Sequence, residues 1–290
     1  MASLKEIRAR IASVASTQKI TSAMKMVSAA KLKKAESATL NFLPYKNKLS
    51  EALSNYLGSL EGSVSIPLAE HREVKKVALI AFSSSSGLCG VYNSSVSKLF
   101  KQTYDEYVEQ LGKENITVIL SGKKIKDYAK KFQIPVAEYH EPGADKPSYD
   151  FAMELSDKMV KLFLERSVDR VVLIYNHYKN AGVQTSLREV VLPLRTDTLP
   201  EAQSFDYLVE PNKEEFINAL VPKVVRTVFY SIMLDTFTAE HGARMTAMHI
   251  ASDNADQLSQ ELKIQYNKAR QNVITNELID IVGGAEALNG

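Results

Sequence analysis

Helix breakers are spread unevenly along this chain, and that limits its folds more than any single motif. Eight of the twelve glycines and eight of the nine prolines fall within residues 58–222. Residues 2–43 hold neither type, and residues 223–282 hold no proline and one glycine, Gly242. A run of about 60 residues with one weak breaker predicts a single helix, on the order of 90 Å long. Along it, Met245, Met248, Ser252, Ala255, Ser259, Leu262, Tyr266, Ala269 and Val273 recur at steps of three and four, which is a heptad seam. In the N-terminal arm, Leu4, Ile7, Ile11, Val14, Gln18, Thr21, Lys25, Ser28, Leu32 and Ala35 keep the same step. Neither stripe can be buried alone. The simplest solution is an antiparallel pair of long helices with a globular domain carried between them.

Composition narrows the class. Charged residues are 24% and hydrophobic ones 45% of 290 residues, with a net charge of +2, which is ordinary for a soluble protein and does not by itself imply nucleic acid. Cys89 is the only cysteine, so an internal disulfide and a multi-cysteine metal site are excluded, and a reducing compartment fits. No uninterrupted apolar run of 18 residues occurs, so no bilayer-spanning segment is expected. Charge is local: residues 1–34 carry Lys5, Arg8, Arg10, Lys19, Lys25, Lys31, Lys33 and Lys34 against Glu6 alone, or +7. A basic, serine-rich, acid-poor start is also the pattern of an organellar transit peptide, but the seam needs these residues and runs on through Leu32 and Ala35. The same charge would suit nucleic acid or anionic lipid. No aromatic residue is interleaved before Phe42, which weakens a base-stacking version of that idea.

Taken in order, the chain predicts a first helix from Ser3, an N-cap with Glu6 three residues on, to about Leu43. A kink is expected at Pro44, and the pattern resumes to Gly58. Residues 58–73 read as a linker. Strands are expected at Val77–Phe82, Ile116–Leu120, Ile134–Tyr139, Val171–Tyr175 and Val183–Leu192. Helices are expected at Val91–Leu111, Lys123–Phe132 and from Tyr149 to Phe163. Alternation of this kind, closing on an Asn180-Ala181-Gly182 turn, predicts a small, mostly parallel sheet with an antiparallel edge. Residues 194–211 form an irregular connection before the second long helix, where Pro222 predicts a kink or a short separate helix. The domain plan is therefore 1–57, 58–73, 74–193, 194–211 and 212–290.

Catalytic chemistry is poorly represented. Ser83-Ser84-Ser85-Ser86-Gly87-Leu88-Cys89-Gly90 joins a strand to a helix, where phosphates often bind, but it lacks the Walker A lysine and the GxGxxG spacing. A tight turn that needs its glycines explains it as well. His71, His140, His177, His241 and His249 stand at no recognisable spacing from Cys89 or from one another, and solvated or interface positions suit them. Asp253/Asp256 and Glu277/Asp280 read as a solvated helix stripe. The long arms carry more information. Gln18, Thr21, Lys25, Ser28, Ser252 and Ser259 make a seam that supplies little burial energy, while Ile20, Met24 and Val27 form a second stripe beside it. The C-terminal arm also outreaches its partner. Its surplus, Ile274, Leu278, Ile279, Ile281 and Val282, is an unpaired apolar tip that predicts a partner with a socket.

These residues carry a resemblance. Ile20-Thr21-Ser22-Ala23-Met24-Lys25-Met26-Val27 with Ala29-Ala30-Lys31-Leu32 resembles the N-terminal helix of the gamma subunit of F-type ATP synthase. Glu240, Ala243-Arg244-Met245-Thr246-Ala247-Met248, Asp253-Asn254-Ala255, Tyr266-Asn267-Lys268-Ala269-Arg270-Gln271 and Ile274-Thr275-Asn276-Glu277-Leu278 resemble its C-terminal helix. The likeness covers essentially the whole chain, with Gly87-Leu88-Cys89-Gly90 at the family's glycine turn. It implies an α/β fold in which a long antiparallel coiled coil of the terminal helices carries a small Rossmann-like domain.

The resemblance also implies a function: a non-catalytic rotor, without cofactor or metal, that couples proton flow to ATP chemistry at beta-subunit sites. Implied partners are the alpha and beta subunits of the hexameric head, the epsilon subunit and the c-subunit ring. No nucleic acid is implied, and membrane association would be indirect, on the cytoplasmic face of a bacterial inner membrane. Met24, Lys25, Arg270, Gln271, Ile274, Leu278 and Ile281 match positions facing the hexamer. Tyr207, Val209 and Glu210, within Asp206–Pro211, match the foot on the ring and epsilon. Ser85 and Ser86 depart from the family's Asp-Arg, and Val91 from its frequent second glycine. Two other classes remain as contrasts: a small α/β enzyme built on the Ser83–Gly90 loop, and a basic coiled coil on nucleic acid or lipid.

Overall fold

A computed structural model describes residues 3–58, 66–141, 147–194, 210 and 212–289. In chain order its elements are α1 (Leu4–Gly58), β1 (Val77–Phe82), α2 (Tyr92–Leu111), β2 (Ile116–Ser121), α3 (Lys123–Lys131), β3 (Glu138–His140), α4 (Tyr149–Leu164), β4 (Arg170–Asn180), β5 (Val183–Leu192) and α5 (Lys213–Asn289). They fall into two compact units. One comprises Met1–Ser28 with Met245–Gly290, the other Ala29–Arg244.

α1 starts on the expected capping box. The Ser3 N–H donates to Glu6 Oε2 at 2.8 Å, and the Glu6 N–H donates to Ser3 Oγ at 3.3 Å. Two of the donors that a helix start leaves bare are thereby met. The helix then runs unbroken through Pro44, and α5 runs unbroken through Pro222. No short separate helix precedes Pro222. Each proline removes one N–H, and the orphaned carbonyls belong to Leu40 and Asn218. Both residues are exposed, so water can take the place of the missing donor.

The larger unit is built on a five-stranded sheet in the order β3-β2-β1-β4-β5, parallel except for the antiparallel β4–β5 edge. β1 sits at its centre and is buried along its whole length, as a continuous apolar run between two covered faces requires. Ala78, Ile80 and Phe82 face a core completed by Tyr56 of α1, Met159 and Phe163 of α4, and Val225 and Phe229 of α5. Val77, Leu79 and Ala81 face Val96 and Phe100 of α2 and Ile125 of α3. The third strand is shorter than its expected span of Ile134–Tyr139. Pro135 has no N–H to give the ladder; the first bond to β2 is from the Ala137 N–H to Val118 O at 2.9 Å, and register pairing starts at Glu138 opposite Ile119.

Gly242, the lone glycine of α5 before its last two turns, marks a close approach. A Cβ there would lie 2.9 Å from the Tyr178 ring and 3.3 Å from Ala181 Cα, so the tip of the β4–β5 hairpin reaches the helix only because no side chain intervenes. Asp235 of α5 fixes the same hairpin, accepting from the Tyr178 N–H at 2.8 Å and meeting His177 Nδ1 at 2.6 Å. Tyr178 Oη in turn donates to Glu36 Oε1 at 2.7 Å. One stretch within Glu215–Ala285 of α5 is long and apolar enough to cross a bilayer by composition alone. More than half of it is buried inside the fold, and a core helix meets the same criterion.

The smaller unit consists of the start of α1 and the end of α5. Thr21 Oγ1 and Ser252 Oγ share a buried hydrogen bond of 2.8 Å. Gln18 Nε2 donates to Asp256 Oδ1 at 2.9 Å, and Lys25 Nζ lies 3.3 Å from His249 Nδ1. As residue numbers rise on α1 they fall on α5, so the pair is antiparallel. In this unit the expected seam residues are buried or half-buried from Leu4 to Ser28 and from Met245 to Ala269.

Candidate partner interface

The candidate interface begins where the seam ends. Carried to the start of α1, the Thr21–Ser252 register pairs Leu4 with Ala269. Beyond that point α5 has no α1 beside it, and every residue from Arg270 to Ala285 is exposed. Val273, expected in the seam, is 41% exposed for this reason. Ile274 is 48% exposed, Leu278 56% and Ile281 67%, with Ile279 and Val282 similarly bare. Side chains of this type left in water each forgo about 1.5–3 kcal/mol of burial. A contiguous set of them is a surface built to be covered.

Arg270 and Gln271 stand at the root of this tip, both exposed. Met24 and Lys25 lie on α1 and are half-buried. The register places Lys25 beside His249, about 30 Å along the helix from Arg270 at ~1.5 Å per residue. The predicted contact residues are thus two patches on one arm rather than a single cluster. Ile20 and Val27, exposed beside Met24, extend the upper patch. Glu210 is exposed; Tyr207 and Val209 lie outside the described residues.

The Ser83–Gly90 loop is held as structure. Asn93 of α2 contacts its inner side, with Nδ2 donating to Ser84 Oγ at 2.8 Å and to Cys89 Sγ at 3.0 Å. Arg244 of α5 reaches its outer side, donating to Ser86 Oγ at 2.7 Å and to Gly87 O at 3.3 Å while pairing with Glu240 at 2.7 Å. Sequence reasoning missed this anchor, although the i,i+4 spacing of Glu240 and Arg244 was a usable signal. Cys89 is buried, and burial pushes its thiol pKa up, the opposite of what a nucleophile needs. His241 is also buried, contrary to expectation. Its ring packs edge-on against Phe237 at 4.4 Å, and Arg244 lies 3.3 Å from its Nδ1.

A cavity of about 730 Å³ in the larger unit is lined by Lys46, Arg170, Tyr175, Arg188, Glu189 and Asp235, among others. Its ionised groups are largely engaged: Arg188 with Glu106, Glu189 with Tyr175 Oη, and Asp235 with His177. Lys46 is engaged as well, its Nζ donating to Ser231 Oγ at 3.0 Å.

Comparison with known proteins settles which family builds such an arm. A family model described as ATP synthase matches residues 3–288. The chain is 49% identical over 292 residues to the ATP synthase gamma chain of Bacteroides fragilis, covering 99% of this chain and all of that one. The chain belongs to the gamma-subunit family of F-type ATP synthases. The gamma chain of Flavobacterium johnsoniae is 48% identical with full coverage of both chains. Solved structures agree on the fold. A chain of the Euglena gracilis mitochondrial ATP synthase superposes with a TM-score of 0.65 at 18% identity, covering 98% of this chain and 94% of that one. A chain from the Tetrahymena thermophila central stalk and c-ring structure gives 0.58 at 23% identity, covering 80% and 99%.

As a gamma-family chain, this protein is the non-catalytic central-stalk rotor subunit of a membrane-associated rotary ATP synthase.

Proposed function

We propose that this gamma-family chain engages an alpha–beta hexamer through its two-helix arm and a c ring with an epsilon subunit through the segment around Tyr207, Val209 and Glu210. The observation that carries the reading is the exposed tip. The apolar residues beyond Ala269 suit a sleeve, because apolar contact is non-directional and no hydrogen bond must break as the tip turns. Arg270 and Gln271 supply polar contacts at its root, and the basic upper patch at Met24 and Lys25 suits an acidic beta segment. Rotation then presents a different face of the arm to each beta subunit in turn. Each face stabilises one of several states of its partner, which is how a shaft without chemistry of its own biases binding, synthesis and release. Proton flow through the ring at the cytoplasmic face of a bacterial inner membrane would drive the turning.

The test is biochemical. Pure isolated chain is expected to turn over no ATP and to co-purify with an alpha–beta hexamer and a c ring when these are supplied. Steady hydrolysis by the isolated chain, or failure to bind the hexamer, would count against the reading.

A further inference from the structure

Of the three polar pairs in the arm, the uppermost has a chemical property that the other two lack. Lys25 Nζ and Asp253 Oδ2 each lie 3.3 Å from the same atom, His249 Nδ1. An ammonium has three donors and no acceptor. It can therefore bond Nδ1 only in the state where that nitrogen offers a lone pair, with the ring neutral and its proton on Nε2. A carboxylate has the opposite requirement and bonds Nδ1 only when that nitrogen carries a proton. The imidazole thus sits between two partners that its charge state selects. Neutral, it ties Lys25 of α1 to α5. Protonated, it repels that ammonium across 3.3 Å and is drawn to Asp253, one turn further along its own helix. These are the charged groups recorded facing His249: Lys25 from α1 and Asp253 from α5. The ring is exposed, so a proton can reach it, and histidine is the side chain that changes charge between about pH 5 and 8.

We propose that His249 is a positioning residue for the Lys25 ammonium, holding it against the arm when neutral and releasing it to an acidic partner surface when protonated. This rests on the reading that Lys25 faces carboxylates of the hexamer. Its consequence is that contact at the upper patch strengthens as the pH falls, while the buried Thr21–Ser252 bond beneath it, which carries no titratable group, keeps the helices in register.

Two measurements separate this proposal from the reading beneath it. A free neutral histidine already favours the Nε2–H tautomer, so imidazole nitrogen NMR on the full chain above pH 8 is expected to find His249 more completely in that form than a free histidine, and Lys25→Met is expected to return it to the free-histidine ratio. A tautomer that ignores Lys25→Met overturns the proposal whatever the hexamer does. Affinity for the alpha–beta hexamer is then followed from pH 8 to pH 6. The full chain is expected to tighten roughly two- to threefold more than His249→Gln, as befits an exposed charge pair, and His249→Lys is expected to be tight throughout. Equal pH slopes for the full chain and His249→Gln overturn the proposal. If Lys25→Met leaves affinity unchanged at both pH values, the Lys25–hexamer contact itself is wrong, and the release step falls with it even where the tautomer result stands.

Discussion

Replacing Gly122 by alanine is expected to cost the larger unit about 3 kcal/mol or more. Gly122 caps α3 with φ +104°, in the region that side chains rarely adopt. A Cβ there would meet Ser83 O at 2.2 Å, Ser83 Oγ at 2.6 Å and Ser83 C at 2.7 Å. Two of these are backbone atoms at the end of the central strand, and they cannot step aside. The Ser83 N–H is bonded to Ser121 O at 2.8 Å, and Ser83 Oγ accepts from the Ile125 N–H at 3.0 Å, serving as the cap that glycine cannot provide. Opening space for one methyl group would therefore part β1 from β2 and uncap α3 together. The melting midpoint of the full chain is expected to fall by ~10 °C. Gly182→Ala is the control: its nearest contact is Asn180 Oδ1 at 3.5 Å, an ordinary distance, and its midpoint is expected to stay within a degree or two. A Gly122→Ala protein that melts with the control would show that β1 and β2 do not close as described.

Reversing the charge at Arg270 is expected to damage function while sparing the fold. Arg270 is exposed and lies beyond the residue opposite the start of α1, so Arg270→Glu disturbs no seam contact of the arm. If the root of the tip meets the hexamer as proposed, a carboxylate there would leave an opposed charge at the interface, which costs about tenfold or more in affinity or coupling. ATP synthesis driven by a proton gradient is the readout. Glu109→Arg, an exposed charge reversal on α2, is expected to leave synthesis near the starting level. Equal losses in the two variants would remove the reason for placing the contact surface on the arm.

Much of the fold is legible in the sequence, because both long helices announce themselves through a period. The steps of three and four among Met245, Ser252, Leu262 and Ala269 are enough to name the buried face of α5, and the Ser3–Glu6 box fixes the start of α1. β1 can be read residue by residue because both its faces are covered and its apolar run is continuous. The sheet order cannot be read, since strand pairing is a long-range choice that no local pattern states. Pro135 shortens β3 for a local reason, its missing N–H, that the apolar run around it conceals. That α5 continues as one helix through Pro222, with no short separate helix, could not be read, because it depends on whether the orphaned carbonyl reaches water, which is a property of the packed fold. The apolar tip is legible as unpartnered surface. The Lys25–His249–Asp253 cluster and the Arg244 anchor are not, because each joins residues far apart in the chain or depends on which way a side chain turns.

A rotor subunit of this kind should turn relative to the hexamer while making and breaking no bond itself. Cys89 is the only cysteine in the chain and is buried, so Glu109→Cys offers a single accessible thiol on the larger unit. A bead attached there, on a complex immobilised through its alpha–beta hexamer, is expected to rotate continuously in one direction when ATP is supplied. A bead that stays fixed while the same complexes hydrolyse ATP would contradict the account.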